Sequence, residues 1–329
     1  MLGSIQQLFR YITQDKDILY IFCPCSIGDI LITGGLCHAV LKKKRKKVAV
    51  LILNDRYVNS GLINFVGAME VRYMPNTITG LMQQYVYVTR EYETDNLIYG
   101  HFKAGQNGYI MNEKLSFINR YKEDVFGLPF DTELIPPIIV DLTDYQKQRL
   151  HETYILDKER TIILAPHALT VQGLEEFFWL KLVAELIKKN KDYVIYTNVA
   201  SPHEKVIPGT TPIVTNFQEL RYLAERVNCF IGIRSGIFDL LAFTDARLLY
   251  INTNISHWFF DLNLNFNHTN SKAFYFVSFS EHDYAALETL MKRNNINSID
   301  DLNICGNVKG RDVFLNMESL IEKIINAVD

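Results

Sequence analysis

The sequence predicts an α/β protein with two Rossmann-like domains, each built on a parallel β-sheet. Residues 18–53 follow the order strand, turn, helix, strand, which is the pattern of a βαβ unit. A similar alternation of strands and helices starts again near residue 160 and continues to residue 251. The chain has 329 residues, a length that fits two domains of ordinary size.

The first βαβ unit begins with a continuous apolar run over residues 18–23, which is typical of a buried parallel strand. A turn at residues 24–29 precedes a predicted helix from Ile30 to Val40. A second apolar strand follows at residues 48–53. Together these elements predict the start of a parallel sheet.

The rest of the first half is less regular. The patterns predict a helix over residues 58–68, a third strand over residues 71–74 and a helix at 120–126 that Gly127 ends. Residues 76–120 mix helical and loop patterns and support no assignment.

The second half is a clearer repeat of strands and helices. Strands are predicted at residues 161–165, 193–197, 212–214, 229–233 and 247–251, and helices at 144–154, 177–190, 217–228, 237–243 and 317–328. We therefore expect a first domain at 1–150, a second at 151–315 and a C-terminal helix at 316–329.

Composition and charge exclude several classes of protein. Hydrophobic residues make up 48% and charged residues 22%, so a disordered chain is excluded. The formal charge of −3 gives no overall basic field, and nucleic acid is not an expected partner. No apolar run is long enough to span a bilayer. The N-terminus is amphipathic and lacks the pattern of a signal peptide, so we expect a cytoplasmic protein.

The five cysteines, an odd number at irregular spacing, argue against a disulfide framework. The Cys23-Pro-Cys25 pair has the residue types for metal binding or redox chemistry. No second pair completes a zinc site, so buried thiols are expected and no metal site is predicted.

Ligands of parallel sheets bind beyond the carboxyl ends of the strands. This rule selects four segments of the chain: residues 24–29, 166–175, 198–204 and 234–239. Standard nucleotide motifs are missing from them: no Gly-x-Gly-x-x-Gly follows the first strand, and the chain has no Walker A sequence.

The segment 24–29 contains Ser26, Gly28 and Asp29. Gly28 allows a tight turn and a close approach of substrate to the backbone. Asp29 stands at the start of a predicted helix, where the helix dipole stabilises a carboxylate. It is either a helix N-terminal charge or a general base at the end of a strand, and the local pattern leaves both interpretations open.

The segment 234–239 has features that suit a diphosphate. Arg234 supplies a forked cation, Ser235 a hydroxyl donor and Gly236 an unobstructed backbone at the start of a helix. Asp239 would contact a sugar hydroxyl or orient the arginine. The alternative is a capped helix with a surface arginine.

Other segments supply weaker candidates for substrate binding. His167 and Thr170 follow the strand at 161–165, and Asn198 ends the next strand. A histidine at such a position is more often structural. Glu219 is most simply a capping residue. The basic run at residues 42–47 is usually a solvated helix end, with an anionic membrane surface as the alternative.

Three segments give the chain a resemblance to a known family. Ser26-Ile-Gly-Asp-Ile30 resembles the opening turn of heptosyltransferase-like glycosyltransferases, the ADP-heptose:LPS heptosyltransferase family. Residues 165–168 with the helix at 176–186 resemble the family's Pro-Gly-Ala segment and the helix after it. Residues 217–236 resemble the family's helix, strand and Asp-Ser-Gly loop. The order and spacing of the three segments together make the resemblance.

The resemblance implies the GT-B architecture, in which two Rossmann-like domains face a cleft. It also implies metal-independent, usually inverting transfer with no cofactor besides the nucleotide-sugar donor. The acceptor, a glycan or lipid-linked glycan, would lie on the first domain and the donor on the second. Asp29 matches the family's proposed base, and Ser235 with Gly236 matches its diphosphate loop. The C-terminal helix would cross back to the first domain.

The sequence departs from the family pattern at several positions. Arg234 replaces the family's Asp, Asp239 replaces its His, and Glu175 and Glu176 stand where a basic residue is usual. We therefore expect a divergent transferase of bacterial capsule, O-antigen or another surface polysaccharide, with peripheral membrane contact as an option. A nucleotide-sugar epimerase or hydrolase of the same fold, and a non-catalytic glycan-binding subunit, remain as alternatives.

Overall fold

The computed structural model describes residues 2–58, 60, 69–88, 94–102, 117–136, 140–168, 173–199, 204–233, 235–252, 271–275 and 317–328. The chain divides into two compact units, Met1–Val140 and Asp141–Asp329. Each unit contains a sheet whose paired strands are all parallel. The predicted α/β fold class is confirmed. None of the helices in the described part of the chain has the length and apolar character needed to cross a membrane.

Unit 1 has a four-stranded sheet in the order β3-β2-β1-β4. Its elements are α1 (Leu2–Ile12), β1 (Ile18–Phe22), α2 (Ile27–Lys44), β2 (Val48–Asn54), β3 (Glu70–Met74), α3 (Asn76–Val88), β4 (Leu97–Tyr99) and α4 (Phe117–Arg120). A short π-helical turn, Tyr121–Val125, continues α4. The predicted helix at 58–68 lies almost entirely outside the described residues. Strand β4 falls in the stretch for which the sequence supported no assignment.

Unit 2 has a six-stranded sheet in the order β10-β9-β8-β5-β6-β7. Its elements are α5 (Asp144–Thr153), β5 (Thr161–Ala165), α6 (Glu176–Lys189), β6 (Val194–Asn198), β7 (Thr211–Ile213), α7 (Phe217–Ala224), β8 (Cys229–Ile233), α8 (Gly236–Leu241), β9 (Leu248–Asn252), β10 (Ser271–Tyr275) and α9 (Met317–Ala327). Strand β10 was not predicted. Five of the six strands in unit 2 match their predicted ranges to within one residue at either end.

Both sheets follow one winding rule. Chain order gives 3-2-1-4 in unit 1 and 3-2-1-4-5-6 in unit 2, which is the strand order of Rossmann folds. The direction of winding therefore reverses between β1 and β4 in unit 1, and between β5 and β8 in unit 2. Ligands of such sheets bind beyond the carboxyl ends of the strands at this reversal.

Helix α2 starts earlier than the sequence indicated. Ser26 is its N-cap residue, with φ −78° and ψ 169°, and the helix begins at Ile27. Gly28 therefore lies in the first helical turn, and the prediction that it forms a tight turn is wrong. The C-cap residue is Arg45, whose φ of 55° is left-handed and whose N–H returns to the carbonyls of the last turn.

Helix α5 belongs to unit 2, although it spans the predicted boundary at residue 150. Leu150 is buried in a core cluster with Leu220 and Leu223 of α7. Arg149 also forms an ion pair with the buried carboxylate of Glu219. These contacts explain why the chain divides before the helix, between residues 140 and 141.

Helix α9 packs on α6 within unit 2. Its apolar face shares a core cluster with α6. The buried members from the helix and the residue after it are Leu320, Ile321, Ile324, Ala327 and Val328. Lys189 of α6 donates to the carbonyl of Ile325 over 2.6 Å. The expectation that this helix crosses to the first domain stays a prediction.

Candidate active site

The reversal point of unit 1 brings together residues from two distant parts of the sequence. Strands β1 and β4 are paired, with Phe22 opposite Tyr99. The residues that follow them, from Cys23 and from Gly100, therefore meet at one edge of the sheet. A Cβ on Gly100 would lie 3.1 Å from the Cβ of Cys23, so a glycine permits this close approach.

Asp29 is the central residue of this edge and is 7% exposed. Its Oδ2 accepts hydrogen bonds from the backbone N–H of Ser26 at 3.0 Å and from the Ser26 hydroxyl at 2.6 Å. Its Oδ1 accepts a hydrogen bond of 2.6 Å from the hydroxyl of Tyr121. Asp29 is therefore a capping carboxylate of α2, as one interpretation of the sequence held. The tyrosine adds a contact that a cap does not require.

Tyr121 lies in the π-helical turn and is fully buried. Burial raises the pKa of its hydroxyl well above the usual value, and the charge of Asp29 raises it further. The hydroxyl therefore stays protonated and donates to the carboxylate. Its ring meets Phe102 edge-on at 4.8 Å between centroids, so the orientation of the hydroxyl is fixed by packing.

His101 follows β4 and approaches the same carboxylate. Its Nε2 lies 3.9 Å from Oδ1 of Asp29, beyond hydrogen-bond distance. Its Nδ1 lies 3.2 Å from the carbonyl oxygen of Phe102. The histidine side chain is 25% exposed, so its imidazole is more accessible than the carboxylate of Asp29.

Sequence reasoning missed both His101 and Tyr121. A signal for the histidine was present, because Leu97–Tyr99 is a short apolar run and His101 follows it closely. The surrounding stretch carries no clear periodicity, and the strand was not predicted. No local signal marks Tyr121, which reaches the site from a residue 92 positions away from Asp29.

The loop before Asp29 is held in place by the segment after β2. The hydroxyl of Tyr57 donates to the carbonyl of Cys25 at 2.9 Å, and the guanidinium of Arg56 donates to the same oxygen at 3.1 Å. Burial raises the pKa of Tyr57 to about 12. It also raises the pKa of the Cys25 thiol, with a further contribution from Cys23. Both cysteines are buried free thiols, as the sequence predicted.

The reversal point of unit 2 holds Ser235, Gly236 and Asp239. Ser235 follows β8 as the N-cap residue of α8, Gly236 opens that helix, and Asp239 lies in its first turn. Within the described part of the chain, the buried Oγ of Ser235 has no hydrogen-bond partner. Arg234 and Thr170 lie outside the described residues.

The remaining candidates of unit 2 have other contacts. His167 follows β5 at the same edge, and its Nε2 lies 2.9 Å from the carbonyl oxygen of Lys205. Asn198 ends β6 and is 6% exposed. Glu219 accepts from the N–H of Asn216 and is a capping residue of α7, as predicted.

Comparison with known proteins identifies the fold. No family model matches the chain, and no curated protein matches its sequence. A solved structure of a glycosyltransferase family 9 protein from Veillonella parvula matches with a TM-score of 0.57 and 15% identity. That match covers 96% of this chain and 98% of the other. ADP-heptose LPS heptosyltransferase II from E. coli matches with a TM-score of 0.51 and 10% identity, over 84% of this chain and 99% of the other. The chain thus has the fold of heptosyltransferase-like glycosyltransferases, and the resemblance seen in the sequence is confirmed for the fold.

Proposed function

We propose that the chain is a metal-independent, inverting glycosyltransferase. It moves a sugar from a nucleoside-diphosphate sugar to a glycan or lipid-linked glycan in bacterial surface polysaccharide synthesis. The observation that carries this proposal is the buried, hydrogen-bonded carboxylate of Asp29 at the reversal point of unit 1. The shared fold supports the same reaction class.

Asp29 is the general base of the proposed reaction. A carboxylate oxygen can accept two hydrogen bonds. Both positions on Oδ2 are taken by Ser26, but Oδ1 accepts only from Tyr121 among the described residues. The second position on Oδ1 receives the acceptor hydroxyl, at the 2.6–3.2 Å that proton transfer requires. The three donors fix the carboxylate, so little reorganisation is needed during the reaction.

The step is a single displacement. The acceptor oxygen gives its proton to Asp29 and forms a bond to the anomeric carbon of the donor sugar. The bond between that carbon and the diphosphate oxygen breaks, and its electron pair leaves with the nucleoside diphosphate. Attack from the face opposite the leaving group inverts the anomeric carbon.

The edge after β8 binds the leaving diphosphate in this proposal. The buried, unpartnered hydroxyl of Ser235 would donate to a phosphate oxygen, and Gly236 leaves the backbone open to it. Arg234 would supply the positive charge. Asp239, His167, Thr170 and Asn198 would contact the sugar, ribose or base.

Two linked experiments test the function. A thermal-shift screen against nucleotide sugars identifies the donor, since a ligand at 100 times its Kd stabilises the folded state by about 2.7 kcal/mol. With that donor, Asp29→Asn should lower the rate of transfer by about 10²–10⁴-fold while donor affinity is kept.

The matched control is Asp17→Asn, which removes an exposed carboxylate just before β1, at the other end of that strand. It should leave both the rate and the affinity unchanged. Undiminished turnover in Asp29→Asn would show that the carboxylate is only a helix cap.

A further inference from the structure

The segments that follow strands β1 and β4 in unit 1 bring together three side chains that no pattern in the sequence connects. Cys25 precedes the N-cap of α2, Asp29 lies in its first turn, and His101 follows the neighbouring strand β4. One ligand atom from each residue lies within 4.8 Å of the other two. We propose that Cys25, Asp29 and His101 bind one Zn²⁺ ion, and that the bound ion blocks the carboxylate of the proposed base.

The three ligand types are those that zinc prefers. Zinc binds thiolate, imidazole and carboxylate at about 2.0–2.3 Å, usually in tetrahedral geometry. Ligand atoms in such a tetrahedron lie roughly 3.3–3.7 Å apart. The 3.9 Å between His101 and Asp29 is close to this value. Small side-chain rotations would bring all three into range.

The contact of His101 with Phe102 leaves the ring nitrogen that faces Asp29 free to bind a metal. The Phe102 carbonyl can only accept, so the Nδ1 atom beside it carries a proton in this contact. In the neutral ring, Nε2 then has a lone pair, and it faces the carboxylate oxygen of Asp29. A cation placed between these two atoms, which lie 3.9 Å apart, would accept a lone pair from each of them.

The surroundings hold the ligands in the way metal sites require. Ser26 and Tyr121 orient the Asp29 carboxylate, and Tyr57 and Arg56 hold the carbonyl of Cys25. Such outer contacts fix the direction of ligating groups. The site is buried at the cysteine and the aspartate, and partly open at the histidine. The ion would enter through this exposed side, and a water would be its fourth ligand.

The charges also balance. On binding, the Cys25 thiol releases its proton to solvent and forms a bond between sulfur and zinc. The thiolate and the carboxylate together then carry two negative charges, which the ion neutralises. A neutral cluster is the form that a buried site favours.

Cobalt provides the direct test, because Co²⁺ occupies zinc sites and gives an absorption band when a thiolate binds it. The full chain, freed of metal by a chelator, should bind one equivalent of Co²⁺ with this band, and Zn²⁺ should displace it. Cys25→Ser should lose the band and weaken Zn²⁺ binding by more than about tenfold. Loss of an outer contact alone commonly weakens metal binding by about that factor, and loss of a ligand should cost more.

Cys37→Ser is the matched control, because Cys37 is also a buried thiol of unit 1 and lies in helix α2. It should keep both the band and the affinity. His101→Gln should also weaken Zn²⁺ binding. Because His101 is partly exposed, this variant tests the site even if Cys25→Ser fails to fold. Wild-type protein that binds no Co²⁺, or a band that persists in Cys25→Ser, would overturn the proposal.

The effect of zinc on catalysis rests on the proposed function and is measured separately. Zn²⁺ should inhibit transfer by the wild type, and higher concentrations should be needed in His101→Gln, each compared with its own metal-free rate. If Zn²⁺ binds without inhibiting, the metal site stands and the role of Asp29 as base is wrong. If no metal binds, the metal site is wrong and the proposed transferase is unaffected.

Discussion

The hydrogen bond between Tyr121 and Asp29 can be tested without any substrate. Tyr121→Phe removes one hydroxyl and keeps the ring, which is fully buried and packs edge-on against Phe102. The change therefore leaves packing almost intact and removes one donor from a buried carboxylate.

The magnitude follows from the character of the bond. It is short, at 2.6 Å, and its acceptor carries a charge. Hydrogen bonds to charged groups contribute about 1.5–3 kcal/mol, against about 0.5–1.5 kcal/mol for neutral pairs. We expect Tyr121→Phe to lower the free energy of unfolding of unit 1 by about 1.5–3 kcal/mol.

Thr13→Val is the matched control. Thr13 is also buried in unit 1, and its hydroxyl donates to the neutral carbonyl of Phe9 at 2.7 Å. Its loss should cost about 0.5–1.5 kcal/mol. Each variant removes one buried hydroxyl donor and nearly keeps the shape of the side chain, and the two differ mainly in the charge of the acceptor.

Hydrogen exchange is the suitable assay, because a chain of two units need not unfold in one step. Exchange of peptides from β1 and α2 reports the opening free energy of unit 1 alone. A cost for Tyr121→Phe equal to or below that for Thr13→Val would refute the charged hydrogen bond to Asp29.

Three further predictions concern packing, titration and thiol chemistry. Gly232→Ala should lower the melting temperature, since its Cβ would overlap the carbonyl oxygen of Ala165. The cost is about 1–3 kcal/mol, and Gly80→Ala, which meets nothing within 4 Å, should show no such loss. Hydrogen bonding to Lys181 lowers the pKa of Glu318 below its usual value. Stability from this pair is present above the unfolded pKa and is lost as pH falls through the folded one, so Glu318→Gln should flatten the acid limb of a pH–stability curve. Burial raises the pKa of the Cys229 thiol to about 12, so a thiol reagent should label it only after unfolding, as mass spectrometry of its peptide would show.

Local patterns were sufficient for the elements that alternate regularly. The continuous apolar runs of β1, β2, β5 and β8 identify buried parallel strands without knowledge of their neighbours. The same reasoning failed where the signal was short or mixed. Strand β4 has only three residues, and its surroundings carry no periodicity. Gly28 was assigned to a turn because glycine suits turns, but Ser26 caps the helix before it.

For the candidate site too, local patterns predicted some features and the tertiary structure decided the others. The sequence determined the two-domain α/β class and the position of Asp29 at a strand end, because both follow from patterns within a few residues. It left both a cap and a base as interpretations of that carboxylate, and the local pattern favoured the cap. Only the tertiary structure decided its partners, since Tyr121 and His101 reach Asp29 through the pairing of β1 with β4 and the turn after α4. The physical reason is that periodicity and capping act over one or two helical turns. The convergence of side chains depends on which strands pair, and pairing is decided by packing of the whole sheet.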